Sequence, residues 1–253
     1  MIKLKGLYLT IFMLLYSLTS QASHPIMEIA RRYLGTPYVA NTLEDEGSEE
    51  LVINKQEVDC TTFVEYVLAE YFMDNEHSFE SRLQSIRYRN GIIKGYTSRM
   101  HYFSEWMQQA IKNELLIDVT AKNSNFIGEL DIHFMSSHPE LYKPLQYDSE
   151  YKINEICKVE KELTGDIFHY LPKDKIGPHG VTWIQEGDII ALVTTIDGLD
   201  VSHLGFATYE KKELRLLHAS FNDKQVIIDS EPLHDKLKNR DSIVGIRVFR
   251  VQL

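Results

Sequence analysis

The chain divides by its hydrophobic pattern into a helical first part and a strand-rich last third. Apolar residues recur at helical spacing over residues 25–34, where the pattern stops at Gly35, and a second stripe at i, i+3, i+4 spacing predicts a helix over residues 60–73. From Trp183 the pattern changes to short runs of β-forming residues separated by turn signals. The predicted strands are residues 188–194, 203–209, 213–217, 225–229 and 243–251, with hairpin connections at Asp197-Gly198 and at residues 210–212. Helices first and antiparallel strands later predict an α+β fold.

Residues 75–180 have a weaker pattern than the parts on either side. Helical patches occur at residues 78–88 and 98–113, and polar residues are scattered over 118–154. The sequence contains no internal repeat and no low-complexity stretch. We interpret residues 23–253 as a single domain in which a large insertion, residues 75–180, packs over the core and shapes a cleft.

The first 22 residues have the composition of a secretory signal peptide. Lys3 and Lys5 precede an apolar run over residues 6–18, and small residues lead to a cleavage site after Ala22. The apolar run is shorter than the ~20 residues that span a bilayer, so we expect no stable membrane insertion. The predicted product is periplasmic or secreted.

The charge balance limits the partners. The chain has 27 Lys and Arg against 37 Asp and Glu, and loss of Lys3 and Lys5 with the signal changes the formal charge from −10 to −12. A strongly acidic protein is not held electrostatically by nucleic acid or by anionic polymers and lipid surfaces. A small soluble substrate is the better expectation.

The two cysteines allow two interpretations. In an oxidising compartment a Cys60–Cys157 disulfide is the ordinary expectation. Cys60, however, lies in the first turn of a predicted helix, where backbone N–H groups and the helix dipole favour a thiolate and lower the thiol pKa. Cys157 stands among charged residues and is predicted to be a buried small hydrophobe.

Two histidines lie at the edges of predicted strands, His203 at the start of one and His218 at the end of the next. Adjacent antiparallel strands joined by a short hairpin would bring them side by side. A single histidine in a strand usually has a structural role, but a thiol nucleophile needs an imidazole base and a third group that orients it. The pair is therefore a candidate for both functions beside Cys60.

Five motifs then make a specific resemblance. The sequences GTPY (residues 35–38), DCTTFV (59–64), WIQEGDII (183–190), HLGFA (203–207) and LHAS (217–220) resemble, in order, segments of the NlpC-type cell-wall cysteine peptidases. That family has a papain-like α+β fold with the nucleophile at a helix start and a following antiparallel sheet. The resemblance implies the same fold here, with the insertion between the two parts.

The resemblance also implies roles for individual residues. Cys60 would be the nucleophile, His203 the general base and His218 the residue that orients the base. The backbone N–H of Cys60 would help to bind the oxyanion, and the phenol of Tyr38 would donate to the oxyanion or to the substrate.

The residue before Cys60 matches the family pattern, and the two residues after it depart from that pattern. The family usually has Ser-Gly after the cysteine, where this chain has Thr61 and Thr62. In the γ-D-glutamyl-diaminopimelate peptidases of that family, the serine and the aspartate before the cysteine help to hold the free amine of the stem peptide. Asp59 and Thr61 are therefore candidate substrate-binding residues. Because Thr61 stands where those peptidases have serine, the resemblance supports binding of a stem-peptide amine less strongly.

The insertion carries a further resemblance. The stretch GYTSRMHYFSEW, residues 95–106, is similar to one in the AmiA-like N-acetylmuramoyl-L-alanine amidases of the same superfamily. It implies hydrolysis of the bond between muramic acid and L-alanine in soluble anhydro-muropeptides, which are peptidoglycan fragments. Aromatic faces and charge-assisted donors suit such a ligand. The candidate substrate-binding residues of this stretch are Ser98, Arg99, His101, Tyr102 and Trp106. The alternative is an amphipathic helix that only packs.

Two other functions remain open at this point. A γ-D-glutamyl-diaminopimelate endopeptidase of the same superfamily would use the same nucleophile on a different bond, and a non-catalytic module would bind muropeptides without turnover. We expect no metal and no cofactor, because the zinc-binding pattern His-Glu-x-x-His does not occur and the pair His133 and His138 has no convincing acidic partner. The sequence does not determine the oligomeric state.

Overall fold

The computed structural model describes residues 24–44, 48–146 and 150–252. The predicted signal peptide, residues 1–22, lies outside the described residues. The helices are α1 (Pro25–Arg31), α2 (Cys60–Phe72), α3 (Phe79–Arg87), α4 (Phe103–Lys112), α5 (Val119–Asn123), α6 (Phe134–Ser137), α7 (Lys143–Gln146), α8 (Glu150–Leu163) and α9 (Leu233–Lys238). The strands are β1 (Leu116–Asp118), β2 (Ile127–Glu129), β3 (Ile167–His169), β4 (Leu171–Pro172), β5 (Ile189–Thr194), β6 (Val201–Glu210), β7 (Glu213–Ser220), β8 (Gln225–Ile228) and β9 (Ile243–Val251).

The main sheet is antiparallel, and its strand order is β1-β9-β5-β6-β7-β8. The short strand β4 also pairs with β9, and β2 and β3 form a separate two-stranded sheet. The helices predicted over residues 25–34 and 60–73 and the five predicted strands are confirmed, with changes at their ends. The connection between β6 and β7 is confirmed as a tight hairpin, because Lys211 and Lys212 both have positive φ angles.

The central strands are buried on both faces. In β5, Ile189 and Ala191 pack into a core with α1 to α4, whereas Ile190 and Leu192 pack into a second core with α9. A strand covered on both sides shows a continuous apolar run instead of alternation. This explains why residues 189–193 are all hydrophobic.

The long segment between α2 and the central strands is tied into the main fold. Side chains of α3 and α4 belong to the first core, and β1 and β4 extend the main sheet beside β9. A third core lies among α6, α7 and α8. The predicted helical patches at residues 78–88 and 98–113 correspond to α3 and α4. The sequence pattern did not predict β1 to β4, because these strands have only two or three residues, or α8, because it buries only Ile156, Glu160 and Leu163.

Among the described residues no helix is long and apolar enough to cross a membrane.

Candidate active site

The start of α2 is fixed by a reciprocal cap. The Asp59 carboxylate accepts hydrogen bonds from the backbone N–H groups of Thr61 (3.0 Å) and Thr62 (2.8 Å). The Thr62 hydroxyl in turn accepts from the Asp59 N–H at 2.9 Å. This is a capping box, which satisfies helix N–H groups that have no partner within the helix. Asp59 therefore positions Cys60, the first residue of α2.

Cys60 is half-buried and is not bonded to Cys157, so both cysteines are free thiols. Burial raises the pKa of the Cys60 thiol to about 12, and the neighbouring Asp59 carboxylate acts in the same direction. Hydrogen bonds, including those from the N–H groups of Leu204 and Cys60, only partly offset this. The expectation of a lowered thiol pKa was therefore wrong: burial outweighs the helix start, and Cys60 needs a base to lose its proton. Cys157 is half-buried in α8, less than predicted.

The register of three strands brings the two histidines and a carboxylate onto one diagonal. Phe206 pairs with Leu217, so one position further His218 lies opposite Gly205, two residues from His203. On the other side His218 pairs with Ile227, two residues before Asp229. Residues related by two positions across strands share a face and lie within reach of long side chains.

The diagonal forms a continuous hydrogen-bond chain. His203 Nε2 lies 2.6 Å from His218 Nδ1, and His218 Nε2 lies 3.1 Å from Asp229 Oδ1. Gly205 permits this approach, since a Cβ at that position would lie 2.7 Å from the Cβ of His218.

The tautomers of both rings follow from the carboxylate. Asp229 can only accept, so His218 carries its proton on Nε2 and presents an unprotonated Nδ1 to His203. His203 must then donate from Nε2, which leaves its Nδ1 free to accept a proton. His203 lines the same cleft as Cys60. The arrangement prepares His203 to act as a base.

A lysine contacts the carboxylate end of this hydrogen-bond chain, and we call His203, His218, Asp229 and Lys236 together the array. The Lys236 ammonium contacts Asp229 Oδ1 and lies 3.2 Å from His218 Nε2. Although burial opposes it, bonding to His218 and Lys236 lowers the pKa of the Asp229 carboxyl. Burial, His218 and Lys236 all lower the pKa of His203, which favours the neutral form of this imidazole.

Tyr38 lies beside Cys60. Its backbone bridges to Val58, one residue before Asp59, and its ring packs edge-on against Phe221 with centroids 5.6 Å apart. Burial, together with the nearby Cys60 and Asp59, raises the pKa of the Tyr38 phenol to about 12. The phenol is therefore a hydrogen-bond donor throughout the neutral pH range.

The cleft that contains Cys60 and His203 has an empty volume of about 540 Å³. Of the predicted binding residues it is lined by Thr61, His101, Tyr102 and Trp106. His101 Nε2 lies 3.1 Å from the carbonyl oxygen of Tyr96, to which it must donate, so its Nδ1 is an acceptor. The Trp106 indole N–H is buried without a partner. The Tyr102 hydroxyl is already bonded, since it donates to Glu160 and accepts from the Met135 N–H.

The other two candidate substrate-binding residues of that stretch, Ser98 and Arg99, do not line this cleft. The Ser98 hydroxyl donates to the Gly95 carbonyl at 2.7 Å and holds a turn. The Arg99 guanidinium is buried and binds Glu44 (2.7 Å) and the Leu43 carbonyl (2.9 Å). The helix α4 begins only at Phe103. Ser98 and Arg99 precede it, so a turn and not the helix sets the direction of their side chains.

Sequence reasoning missed Asp229 and Lys236. A signal for Asp229 existed, because the hairpin register places it diagonal to His218 once β8 is paired with β7. Lys236 had none, since its position depends on how α9 packs. Among the described residues no group of three or more His, Cys, Asp and Glu side chains could hold a metal ion, and His133 and His138 have separate partners.

The fold and the site define an α+β protein in which a helix-start thiol and a paired-histidine array share one cleft. The family model described as AmiA-like, N-acetylmuramoyl-L-alanine amidase-like, matches residues 28–246. The chain belongs to this family.

Solved structures agree with the family in fold, and their names differ. A protein from Bacteroides uniformis named as an N-acetylmuramoyl-L-alanine amidase is 46% identical with a TM-score of 0.87, over 90% of this chain and 99% of that one. A Bacteroides fragilis protein named as a candidate xylanase is 49% identical with a TM-score of 0.85, over 88% of this chain and 99% of that one. A Legionella pneumophila protein, 23% identical with a TM-score of 0.67 over 90% of this chain and 88% of that one, shows the fold alone. No curated protein matched the chain.

Proposed function

We propose that the chain is a cysteine amidase with an NlpC-type fold that hydrolyses the bond between N-acetylmuramic acid and L-alanine in soluble muropeptides, in the periplasm or outside the cell. The observation that carries the proposal is the cleft shared by Cys60 and His203, with His218 and Asp229 fixing the base tautomer. The amidase-like family and the Bacteroides uniformis relative support the choice of bond.

The first chemical step would join proton transfer to attack. Because the Cys60 thiol is protonated at neutral pH, His203 Nδ1 takes the proton as sulfur adds to the lactyl carbonyl. The tetrahedral oxyanion would be stabilised by the Cys60 N–H and the Tyr38 phenol. The imidazolium of His203 donates from Nε2 to His218, whose orientation Asp229 holds.

The second step would release the stem peptide and regenerate the thiol. The intermediate collapses as His203 gives its proton to the L-alanine nitrogen, which leaves as an amine, and the acyl group remains on sulfur as a thioester. Water then attacks the thioester, with His203 accepting its proton. Collapse returns the carboxylic acid and the Cys60 thiol, so no cofactor is needed.

The part of the cleft lined by His101 and Trp106 fits an amide-bearing ligand. The Trp106 indole N–H lacks a partner, and the Nδ1 of His101 is an acceptor. A buried donor without a partner is costly unless a ligand or water supplies an acceptor. Acetamido and peptide groups each offer one acceptor and one donor, which matches this pair.

The same cleft argues against glycoside hydrolysis. Retaining and inverting glycosidases commonly use two available carboxyl groups. The described residues that line the cleft include the carboxylates of Glu65 and Asp200. Glu65 accepts from buried Arg87 at 2.8 Å, and Asp200 accepts from the N–H groups of Ser104 (2.6 Å) and Val201 (2.8 Å). Both carboxylates are engaged in structural hydrogen bonds, so neither is free for acid-base catalysis.

The proposal is tested by mass spectrometry of disaccharide anhydro-muropeptides incubated with the protein. Disaccharide plus an intact stem peptide is the expected result. A disaccharide that keeps a dipeptide would identify the γ-D-glutamyl-diaminopimelate endopeptidase instead. Binding without turnover would identify a non-catalytic module. In a separate incubation with xylan, release of sugar would support the name of the Bacteroides fragilis relative.

Two cysteine variants separate mechanism from folding. Cys60→Ala should abolish cleavage while calorimetry still detects muropeptide binding. Cys157→Ala, which removes the thiol in α8, is the matched control and should keep full activity. Cleavage by Cys60→Ala at the rate of the unmodified protein would overturn the nucleophile assignment.

A further inference from the structure

The last link of the hydrogen-bond chain comes from a different layer of the fold. Lys236 belongs to α9, which is anchored in the second core by the buried side chains of Leu233 and Leu237. Its side chain is only 11% exposed and reaches the carboxylate of Asp229, which is 7% exposed. The nucleophile-bearing helix α2 packs in the first core. A cation on the second-core side of the sheet therefore touches the array that serves the thiol.

Two donors share one acceptor at this point. His218 Nε2 (3.1 Å) and the Lys236 ammonium both bind Asp229 Oδ1, and the two nitrogens lie 3.2 Å apart. An ammonium has no acceptor lone pair, so it cannot accept from His218. If Asp229 were absent, Lys236 could instead donate to His218 Nε2 and impose the opposite tautomer. The carboxylate and the cation thus have opposed effects on the same ring nitrogen.

We propose that Lys236 is a positioning residue whose ammonium balances the Asp229 carboxylate and keeps His203 uncharged, so that this histidine remains a free base under mildly acidic conditions. The role in catalysis rests on the proposed function. The charge balance itself does not.

The surrounding groups give the sign of the effect. His203 is influenced by His218 from β7, by Lys236 of α9, by Arg240 just after α9, and by Asp229 after β8. Of these, Asp229 favours the imidazolium and the others oppose it. Removing Lys236 deletes an opposing cation and leaves the Asp229 charge uncompensated, so both changes raise the pKa of His203.

The experiment measures the histidine directly and, separately, the reaction. In a Cys60→Ala background with isotope-labelled histidine, NMR titration should show the His203 midpoint of Lys236→Met raised by about one pH unit. In the active protein the acidic limb of kcat/KM should move up by the same amount, which lowers the rate below the limb about tenfold. Lys238→Met, an exposed position of the same helix, should move neither.

Each failure has its own meaning. Lys236→Arg should leave the His203 midpoint close to that of the reference, because it keeps a cation at this position. If Lys236→Met does not fold, Lys236→Gln removes the charge while keeping a donor and gives the same test. A His203 midpoint within about 0.3 pH unit of the reference in both neutral variants would overturn the inference. A shifted midpoint in a protein that cleaves no muropeptide would instead overturn the proposed function.

Discussion

Asp59 has two separable effects at the start of α2, and two substitutions distinguish them. Its carboxylate caps the helix through Thr61 and Thr62, and its charge raises the pKa of the adjacent Cys60 thiol. Asp59→Ala removes both the cap and the charge. Asp59→Asn removes the charge and keeps a side-chain oxygen, because asparagine caps helices as well as aspartate does.

The expected magnitudes differ accordingly. Loss of the cap in Asp59→Ala should lower the free energy of unfolding by about 1 kcal/mol, or about 2–4 °C in Tm for a domain of this size. Asp59→Asn should leave stability within about 0.5 kcal/mol of the reference. Both variants should lower the pKa of Cys60 by about one unit, since a neighbouring negative charge disfavours the thiolate.

Thermal unfolding and thiol alkylation measure the two effects independently. The alkylation rate of Cys60 well below its pKa follows the thiolate fraction, so it should rise about tenfold in both variants. Cys157→Ala provides the background in which only Cys60 reacts.

Two results would refute this reasoning. An Asp59→Ala variant as stable as the reference would show that the capping box does not stabilise α2. An unchanged alkylation rate in both would show that the Asp59 charge does not act on the thiol. A large rise in KM for both variants would favour the role that the family resemblance implied, binding of a substrate amine.

Two further predictions concern the walls of the site. Glu65→Gln should lower the free energy of unfolding, measured in urea, by about 3–5 kcal/mol because it leaves buried Arg87 without its counter-ion. The double variant Glu65→Gln/Arg87→Met should recover much of this loss, and a single variant as stable as the reference would contradict the argument. Tyr38→Phe should lower kcat for muropeptide cleavage about 100-fold by removing an oxyanion donor, while the alkylation rate of Cys60 stays nearly unchanged. An unaltered kcat would mean that the Tyr38 phenol only packs.

Much of the fold is determined locally and was predicted from the sequence. The stripe over residues 60–73 and the strand runs after Trp183 each bury many apolar side chains, so their periodicity is strong. The sequence motifs also singled out Cys60, His203 and His218 as candidate site residues, because a helix start and neighbouring strand edges can be recognised along the chain. The short strands β1 to β4 could not be found this way, since two or three residues carry no period.

The electrostatic state of the site was decided only by the tertiary structure. A helix start alone predicts a lowered thiol pKa, but the burial of Cys60 between α2 and β6, next to Asp59, raises it. Asp229 and Lys236 join the array through strand pairing and helix packing over distances that no motif spans. The sequence determined which groups could react, and packing determined their protonation, because desolvation and neighbouring charges depend on which surfaces meet in three dimensions.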